Sequence, residues 1–341
     1  MSGALSLAEA VERLRSPEVF ERCSPISGEP ALVVELGASA EATPGCSAET
    51  RAALAALPCP SVAIARERET APGAARWLGC FDVVVRSDAD LASVLAAVRR
   101  APLAAQVLVQ LLRGSERRDV EAGLIAESLA YSTLQGGPEF AAWAAARPPA
   151  RRRSEASGPP LRVRRDGARL HVTLDRPERR NAWSAAMRDA FVEALALAVA
   201  DASIHEVWID AVGPAFCSGG DLDEFGTRPD PATAHAVRTT RSAARLLAAC
   251  AERVRAQLHG ACIGAGIELA AFAARVAARE GAFFQLPELA MGLIPGAGGT
   301  VSLPRRIGRQ RTAWLALSGA RLEVGEALSW GLVDEVLPSR A

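Results

Sequence analysis

Residues 259–300 contain two glycine-rich motifs, H-G-A-C-I-G-A-G-I-E-L-A at 259–270 and F-Q-L-P-E-L-A-M-G-L-I-P-G-A-G-G-T at 284–300. Each motif holds one glutamate, Glu268 or Glu288, among apolar and small residues. A carboxyl group in apolar surroundings has a raised pKa, which suits a general acid or base near neutral pH. The stretch therefore predicts an acid/base pair in a pocket. The alternative for each glutamate alone is a structural ion pair.

The first motif predicts a strand that runs to residue 260 and a helix that begins near Ala265. The first N–H groups of a helix have no intrahelical partner and lie at the positive end of its dipole. Gly264 and Gly266 flank Ala265, so little side chain blocks an incoming carbonyl group. Close helix packing is the alternative reason for these glycines. Leucine at position 269 departs from the G-x-G-x-x-G pattern, so a dinucleotide site is not predicted.

An earlier loop, A-F-C-S-G-G-D-L at 215–222, is predicted to serve the same pocket. Its small residues can present a second backbone N–H, and two converging N–H groups form an oxyanion hole, each donor contributing ~2.7–4 kcal/mol in the transition state. No base neighbours Cys217 in sequence, so this residue is predicted to be a packed small hydrophobe. Asp221 is predicted to cap the following turn. The residues predicted to contact substrate are Ser218, Gly219, Asp221, Leu222, Gly264 and Gly296.

Composition predicts a globular protein with an apolar core, since 50% of the 341 residues are hydrophobic and 23% are charged. The alternation of strand and helix patterns after residue 161 predicts an α/β architecture. The formal net charge of zero argues against nucleic acid or an anionic membrane as a partner. Every basic residue is arginine, so a phosphate contact must come from arginine or from backbone N–H. Seven scattered cysteines and the lack of a signal-peptide core favour a reduced, cytoplasmic protein. The four histidines have no metal or triad spacing, so no metal is predicted. His259 is predicted to orient its loop by hydrogen bonding.

The chain is predicted to fold as two units, 1–147 and 161–341, joined by a Pro/Arg-rich linker at 148–160. Apolar periodicity in the first unit predicts helices at 6–15, 49–57, 90–99, 103–112, 120–134 and 139–146, and strands at 31–36, 61–65 and 81–85. Ser6 and Glu9 are predicted to form a capping box. In the second unit the pattern predicts a hairpin of 161–163 with 170–174, helices at 184–199 and 232–250, and strands at 206–211 and 254–258.

These motifs resemble the enoyl-CoA hydratase/isomerase family, also called the crotonase family, over residues 161–338. R-P-E-R-R-N-A at 176–182 and A-L-S-W-G-L-V-D-E-V at 327–336 add to the resemblance. It implies a core built as a ββα superhelix, in which the N–H groups of Gly220 and Ala265 form the oxyanion hole. Alanine at 265 replaces the usual glycine and retains the N–H. In the family's hydratases two glutamates, here Glu268 and Glu288, activate water, and Gly296 matches a glycine whose N–H helps to hold it.

The resemblance implies an enzyme that adds water to the double bond of a 2-enoyl-CoA thioester, with coenzyme A as part of the substrate and no further cofactor. An isomerase or decarboxylase acting through the same enolate is one alternative. A non-catalytic acyl-CoA-binding subunit is the other. Family members form trimers or multiples of trimers, so a homo-oligomer is expected.

Two departures from the family pattern bear on these expectations. Asp223 stands where a lysine is common, which affects the contacts to acyl-CoA phosphates. The chain stops soon after Val336, where the family continues with helices that cover the active site. Residues 101–147 are similar to that helical tail, and upstream strands are similar to those that flank the glycine triplet. We therefore expect residues 1–147 to be a shortened, degenerate crotonase-like domain whose helices cap the second unit's site.

Overall fold

A parallel four-stranded sheet forms the centre of the first half of the computed structural model, which describes residues 3–37, 46–66, 76–148, 158–227 and 230–339. The sheet order is β1-β2-β3-β4. The strands are β1 (Leu5–Ser6), β2 (Leu32–Glu35), β3 (Ser61–Ile64) and β4 (Val83–Val85). The helices are α1 (Leu7–Arg15), α2 (Val19–Arg22), α3 (Ala48–Ala56), α4 (Asp88–Arg100), α5 (Pro102–Arg113), α6 (Val120–Gln135) and α7 (Pro138–Ala145).

The second half contains a six-stranded and a three-stranded sheet. The strands are β5 (Leu161–Asp166), β6 (Arg169–Leu174), β7 (Glu206–Ala211), β8 (Val254–Leu258), β9 (Ala261–Ile263), β10 (Arg275–Arg279), β11 (Phe283–Gln285), β12 (Leu322–Glu323) and β13 (Glu335–Leu337). The sheet orders are β13-β10-β8-β7-β6-β5 and β12-β11-β9. Only the β5–β6 and β11–β12 pairs among these are antiparallel.

The remaining helices cover these sheets. They are α8 (Ala185–Ala200), α9 (Pro231–Thr240), α10 (Ala243–Ala249), α11 (Ala265–Ala270), α12 (Gly299–Ile307), α13 (Arg309–Ser318) and α14 (Val324–Trp330). Short 3-10 helices occupy Pro177–Arg179, Leu222–Glu224, Ala251–Arg253 and Glu288–Met291. In the described part of the chain no single helix has the length and apolar character to cross a membrane, although α4 and α5, bent by 111°, together satisfy length and composition.

Apolar side chains from both halves join in one core, which includes Leu108 of α5, Leu170 of β6 and Leu315 of α13. The pleat of β3 separates this core from a second one, because successive side chains of a strand point to opposite faces. Val62 and Ile64 belong to the shared core, whereas Ala63 belongs to the second core, which lies within the first half. The first half thus packs on the second through a continuous apolar layer.

Several predicted elements are confirmed within one or two residues. Ser6 caps α1 with Glu9 in a capping box, the turn at 167–168 closes the β5–β6 hairpin, and β7 and β8 have the predicted bounds. The predicted single helix at 232–250 is wrong. It is two helices, since the chain leaves helical geometry at Arg241 and Ser242 caps α10 through the N–H of Arg245.

Strands β9, β10 and β11, all within the 259–300 region, were not predicted. R-V-A-A-R at 275–279 has too few residues and too little alternation to distinguish a strand from a helix by periodicity. The predicted α/β class agrees with the observed mixture of helices and mostly parallel strands. Residues 149–157 of the predicted linker lie outside the described residues, as do residues 67–75.

Candidate active site

A cavity of about 230 Å³ lies between α6 of the first half and the loops of the second half. Six residues that sequence reasoning assigned to the site line it: Gly220, Asp221, Ala265, Glu268, Glu288 and Gly296. They come from three separate segments of the chain, so the fold brings together what the motifs predicted separately. Ser218, Gly219, Leu222 and Gly264 are not among the lining residues, and their contact with substrate stays a prediction.

Glu268 projects from the first turns of α11 and is only 2% exposed. Its Oε2 accepts hydrogen bonds from the backbone N–H groups of Ala297 (2.7 Å) and Gly299 (2.9 Å). Because these donors hold one carboxyl oxygen, the side chain is fixed and Oε1 is left on the side of Gly264. The glycine-rich segment 296–299 therefore anchors the first glutamate.

Glu288 opens the 3-10 helix Glu288–Met291 and lies next to the same glycine. A Cβ built on Gly264 would lie 2.5 Å from Oε1 of Glu288 and 3.8 Å from Oε1 of Glu268. The two carboxyl groups therefore converge beside the backbone of Gly264, where only hydrogen leaves room. Oε2 of Glu288 is buried and has no hydrogen-bond partner among the described residues.

Burial dominates the electrostatics of both glutamates. It raises the pKa of Glu288 to about 8. Burial, with the charges of Glu288 and Glu127 added, raises the pKa of Glu268 well above its usual range, against the effect of the two N–H donors. Near neutral pH the pair therefore holds at least one proton, which an acid/base pair needs.

The two residues predicted to form the oxyanion hole, Gly220 and Ala265, line the same cavity. Gly220 follows a loop that β9 holds in place: the N–H of Ile263 donates to the carbonyl of Cys217 (2.9 Å), so the loop runs beside the strand that leads to α11. Ala265 is the first residue of α11, after Gly264 with φ of 50°. Within the described residues neither N–H donates to another backbone group. Their role as donors to a bound oxygen atom stays a prediction.

The other residues of the loop act locally. Asp221 caps the 3-10 helix Leu222–Glu224 through the N–H of Asp223 and pairs with Arg179 at 3.1 Å, which confirms its predicted capping role. Leu222 is 42% exposed, and its carbonyl accepts a hydrogen bond from Arg147. Cys217 is buried, and burial raises the pKa of its thiol to about 12, consistent with a packed side chain rather than a nucleophile.

Sequence reasoning missed three residues that line the cavity from the helices around it: Glu127 and Tyr131 of α6, and Arg238 of α9. Glu127 is 2% exposed, and burial raises its pKa to about 7. The guanidinium of Arg238 lies 4.7 Å from the ring centroid of Tyr131 and donates to the Oγ of Ser128 (3.1 Å). The available signal was a glutamate in the apolar run G-L-I-A-E-S-L-A, on the helix face shared by buried residues.

No group of three or more His, Cys, Asp or Glu side chains in the described ranges has an arrangement that could hold a metal ion. His259 instead makes a hydrogen bond from its Nε2 to the carbonyl oxygen of Gly213 (2.9 Å), which agrees with its predicted role of orienting the loop.

A family profile described as enoyl-CoA hydratase/isomerase matches residues 165–341. The chain is 37% identical over 179 residues to 2,3-dehydroadipyl-CoA hydratase of Escherichia coli K12, covering 52% of this chain and 69% of that protein. It is 35% identical over 172 residues to 1,2-epoxyphenylacetyl-CoA isomerase of the same organism, covering 49% and 66%. Against the crystal structure of an enoyl-CoA hydratase from Thermoplasma volcanium, the TM-score is 0.49 at 32% identity, covering 53% and 72%. The chain thus spans about two thirds of the length of these curated relatives.

Proposed function

We propose that this chain, which belongs to the enoyl-CoA hydratase/isomerase family, adds water across the double bond of a 2-enoyl-CoA thioester. The observation that carries the proposal is the convergence of Glu268 and Glu288 beside Gly264, in a cavity also lined by Gly220 and Ala265. Hydration needs a base for water, an acid for the α-carbon and a site for the enolate oxygen. This cavity offers a group for each.

We place the thioester carbonyl oxygen between the N–H groups of Gly220 and Ala265. Attack at the β-carbon moves negative charge onto that oxygen, giving an enolate. Donors fixed before the reaction stabilise this charge without reorganisation, and each typically contributes ~2.7–4 kcal/mol. The start of α11 adds the positive end of a helix dipole.

The hydrogen bonds suggest how the two glutamates divide the work. Oε2 of Glu268 accepts two N–H groups, which stabilises its carboxylate form. Oε2 of Glu288 has no partner in the described chain, so its neutral form is the less costly one to bury. We therefore assign Glu268 as the base that takes a proton from water, and Glu288 as the acid that gives a proton to the α-carbon. The hydroxyl group ends on the β-carbon, and the enolate is discharged.

We assign helix α6 as the cover of the site, the role that C-terminal helices have in the family. Its residues Leu124, Glu127 and Tyr131 line the cavity. Gly123 packs so tightly on α12 that an added Cβ would lie 2.9 Å from Cγ2 of Val301. A cover supplied from the first half would exclude bulk water and strengthen the electrostatic interactions inside.

The loss of crotonyl-CoA ultraviolet absorbance tests the proposal. We expect turnover by the wild-type protein and a fall of at least about 100-fold in kcat for Glu268→Gln and for Glu288→Gln, since each removes a proton-transfer group. Glu326→Gln, an exposed glutamate on α14, is the matched control and keeps the wild-type rate.

Other outcomes separate the alternatives. If the protein moves the double bond of a 3-enoyl thioester to the 2-position and does not hydrate it, the activity is that of an isomerase and the proposed hydration is wrong. Binding of acyl-CoA with no turnover on a panel of enoyl-CoAs would favour the non-catalytic subunit. Full hydratase activity in both glutamine variants would show that the assigned pair is wrong.

A further inference from the structure

Four successive backbone N–H groups at the start of α12 donate alternately to two buried carboxyl groups. Those of Ala297 and Gly299 donate to Oε2 of Glu268 at 2.7 and 2.9 Å. Those of Gly298 and Thr300 donate to Oε1 and Oε2 of Glu127, at 2.7 and 2.8 Å. The hydroxyl of Thr300 also donates to Oε2 of Glu127, at 2.7 Å. The segment 297–300 is thus held from two sides, by one glutamate of each half of the chain.

This alternation leaves the segment little freedom. Gly298 has φ of 104°, and a Cβ built on Gly299 would lie 2.6 Å from Cγ of Glu268, so both positions require glycine. Because Gly298 and Gly299 are neighbours in one turn, a displacement of the Gly298 N–H from Glu127 also displaces the Gly299 N–H from Glu268. The anchor of Glu268 therefore depends on the anchor that Glu127 gives to the next N–H groups.

The hydrogen bonds of Glu127 are those expected of a carboxylate that anchors the turn. Oε1 accepts one hydrogen bond and Oε2 accepts two, and all three donors belong to residues 298–300. Every one of these contacts is a donor to the carboxyl group, which fits the ionised form. Such charge-assisted bonds are the stronger kind.

We propose that Glu127 is a positioning residue of the active site: by binding the N–H groups of Gly298 and Thr300, it fixes the turn that anchors Glu268 and keeps Oε1 of Glu268 aimed at the substrate. The inference rests on the proposed function, because it needs Glu268 to act in the reaction. It adds to that function a second role for the first half of the chain, which then both covers the active site and positions Glu268.

The charge of Glu127 gives a readout that a purely structural role would not move. Its carboxylate acts on Glu268 and Glu288, and it raises the pKa of both. The charged or titratable groups that interact with it are Glu268 of α11, Glu288 of the 3-10 helix, Tyr131 of α6 and Arg238 of α9. Neutralising Glu127 removes a negative charge that raises the pKa of the acid, so that pKa falls, and the basic limb of the pH–rate profile moves to lower pH.

The test compares kcat, KM and the pH profile of Glu127→Gln, Glu127→Asp and wild type with crotonyl-CoA. Glutamine removes the charge, and its NH2 group faces a backbone N–H that it cannot bind, because both are donors. We therefore expect kcat to fall about 10- to 100-fold with KM nearly unchanged. The basic limb moves to lower pH. Aspartate keeps the charge but is too short to span both N–H groups, so kcat falls while the basic limb stays in place.

Glu121→Gln, on the same helix but in an exposed pair with Arg245, is the matched control and keeps the wild-type kcat and profile. A folded Glu127→Gln protein with the wild-type rate and profile overturns the inference, while wild-type turnover leaves the proposed function standing. If the glutamine variant does not fold, the aspartate variant decides: a lower kcat supports positioning, and a wild-type kcat overturns it. An inactive wild-type protein would refute the proposed function and this inference with it.

Discussion

Gly264 and Glu288 are in such close contact that a Cβ on the glycine would stand 2.5 Å from Oε1 of the glutamate. The backbone at Gly264, with φ of 50° and ψ of −121°, is also one that residues with a Cβ rarely adopt. The two constraints coincide at the point where the carboxyl pair meets the first N–H of α11. The placement of the two carboxyl groups and the backbone conformation therefore both depend on Gly264.

Gly264→Ala should accordingly lose activity and stability together. We expect kcat to fall by at least about 100-fold, since the added methyl group displaces Glu288, and the free energy of unfolding to fall by roughly 1–3 kcal/mol from backbone strain. Steady-state rates and urea unfolding measure the two effects. Gly319→Ala is the comparison, since Gly319 also has a positive φ but its added Cβ would lie 3.9 Å from the carbonyl oxygen of Leu286; this variant should lose stability and keep activity. Equal activity in both variants would contradict this explanation.

Glu288→Gln should stabilise the protein at alkaline pH. Burial raises the pKa of Glu288 from 4.5 to about 8, so the folded state holds its proton more tightly than the unfolded state does. Folding then takes up a proton between these values, and stability falls as pH rises through this window and is constant above it. Glutamine does not ionise. We expect its free energy of unfolding to exceed that of wild type by on the order of 1 kcal/mol or more at pH 8, since each unit of pKa corresponds to about 1.4 kcal/mol.

Urea unfolding at pH 8 and at the low end of the window checks this expectation. The gain should shrink toward acidic pH, where wild-type Glu288 is protonated in both states. Glu326→Gln, on the surface, provides the control and should show no comparable pH-dependent gain. A difference of the same size at both pH values would mean that proton uptake by Glu288 is not its cause.

Arg113→Met should destabilise the first half strongly. The side chains of Arg113 and Asp82 are 8% and 4% exposed and pair at 2.7 Å. Arg113 also donates to the carbonyls of Leu57 and Cys59. Without Arg113, the buried Asp82 carboxylate loses its nearest cation. Among the described residues it keeps only Arg309 at 3.7 Å and the hydrogen bonds from Ser61. We therefore expect a loss of about 3 kcal/mol in thermal or urea unfolding, the lower end of the usual range for a broken buried pair.

The exposed pair of Arg22 and Glu18, with side chains 59% and 60% exposed, gives the comparison. Arg22→Met should change stability by no more than about 1 kcal/mol, as is usual for surface pairs. Similar losses in the two variants would indicate that burial of the Arg113 pair has no special effect on stability.

Deleting residues 1–147 should abolish activity. The deletion removes Glu127 and Tyr131 from the cavity and uncovers apolar residues of α12 and α13 that belong to the shared core. We expect poor solubility, and no hydration of crotonyl-CoA by the remaining protein. Partial recovery when residues 1–147 are supplied as a separate chain would support docking of the two halves. A stable, fully active remainder would contradict both the covering role and the positioning role assigned to α6.

The sequence predicted the residues that lie close together along the chain. Glu268 and Ala265 share one helix start, and a glutamate among glycines is visible in a short window. Asp221 as a cap and His259 as a loop-orienting group followed from local hydrogen-bonding preferences, and the structure agrees. These are features that a few neighbouring residues determine.

The residues that were missed depend on contacts between distant segments. Glu127 lies 171 residues before Gly298, and nothing near it in sequence shows that an N–H group will meet its carboxyl oxygen. Arg238 likewise contacts Ser128 across 110 residues. The break between α9 and α10 was missed for a local reason. The sequence around Ser242 is compatible with a serine inside a helix and with a serine that caps a new helix.

The bonds between Glu127 and Thr300 span 173 residues, and this separation has a consequence for synthesis on the ribosome. At about 5–20 residues per second, roughly 10–30 s pass between translation of the glutamate and of its donors. During that interval α6 has no α12 to pack on, and its apolar face is open to other nascent chains or to a chaperone. The contacts between Glu127 and the segment 298–300 can form only when the late helix docks on the early one.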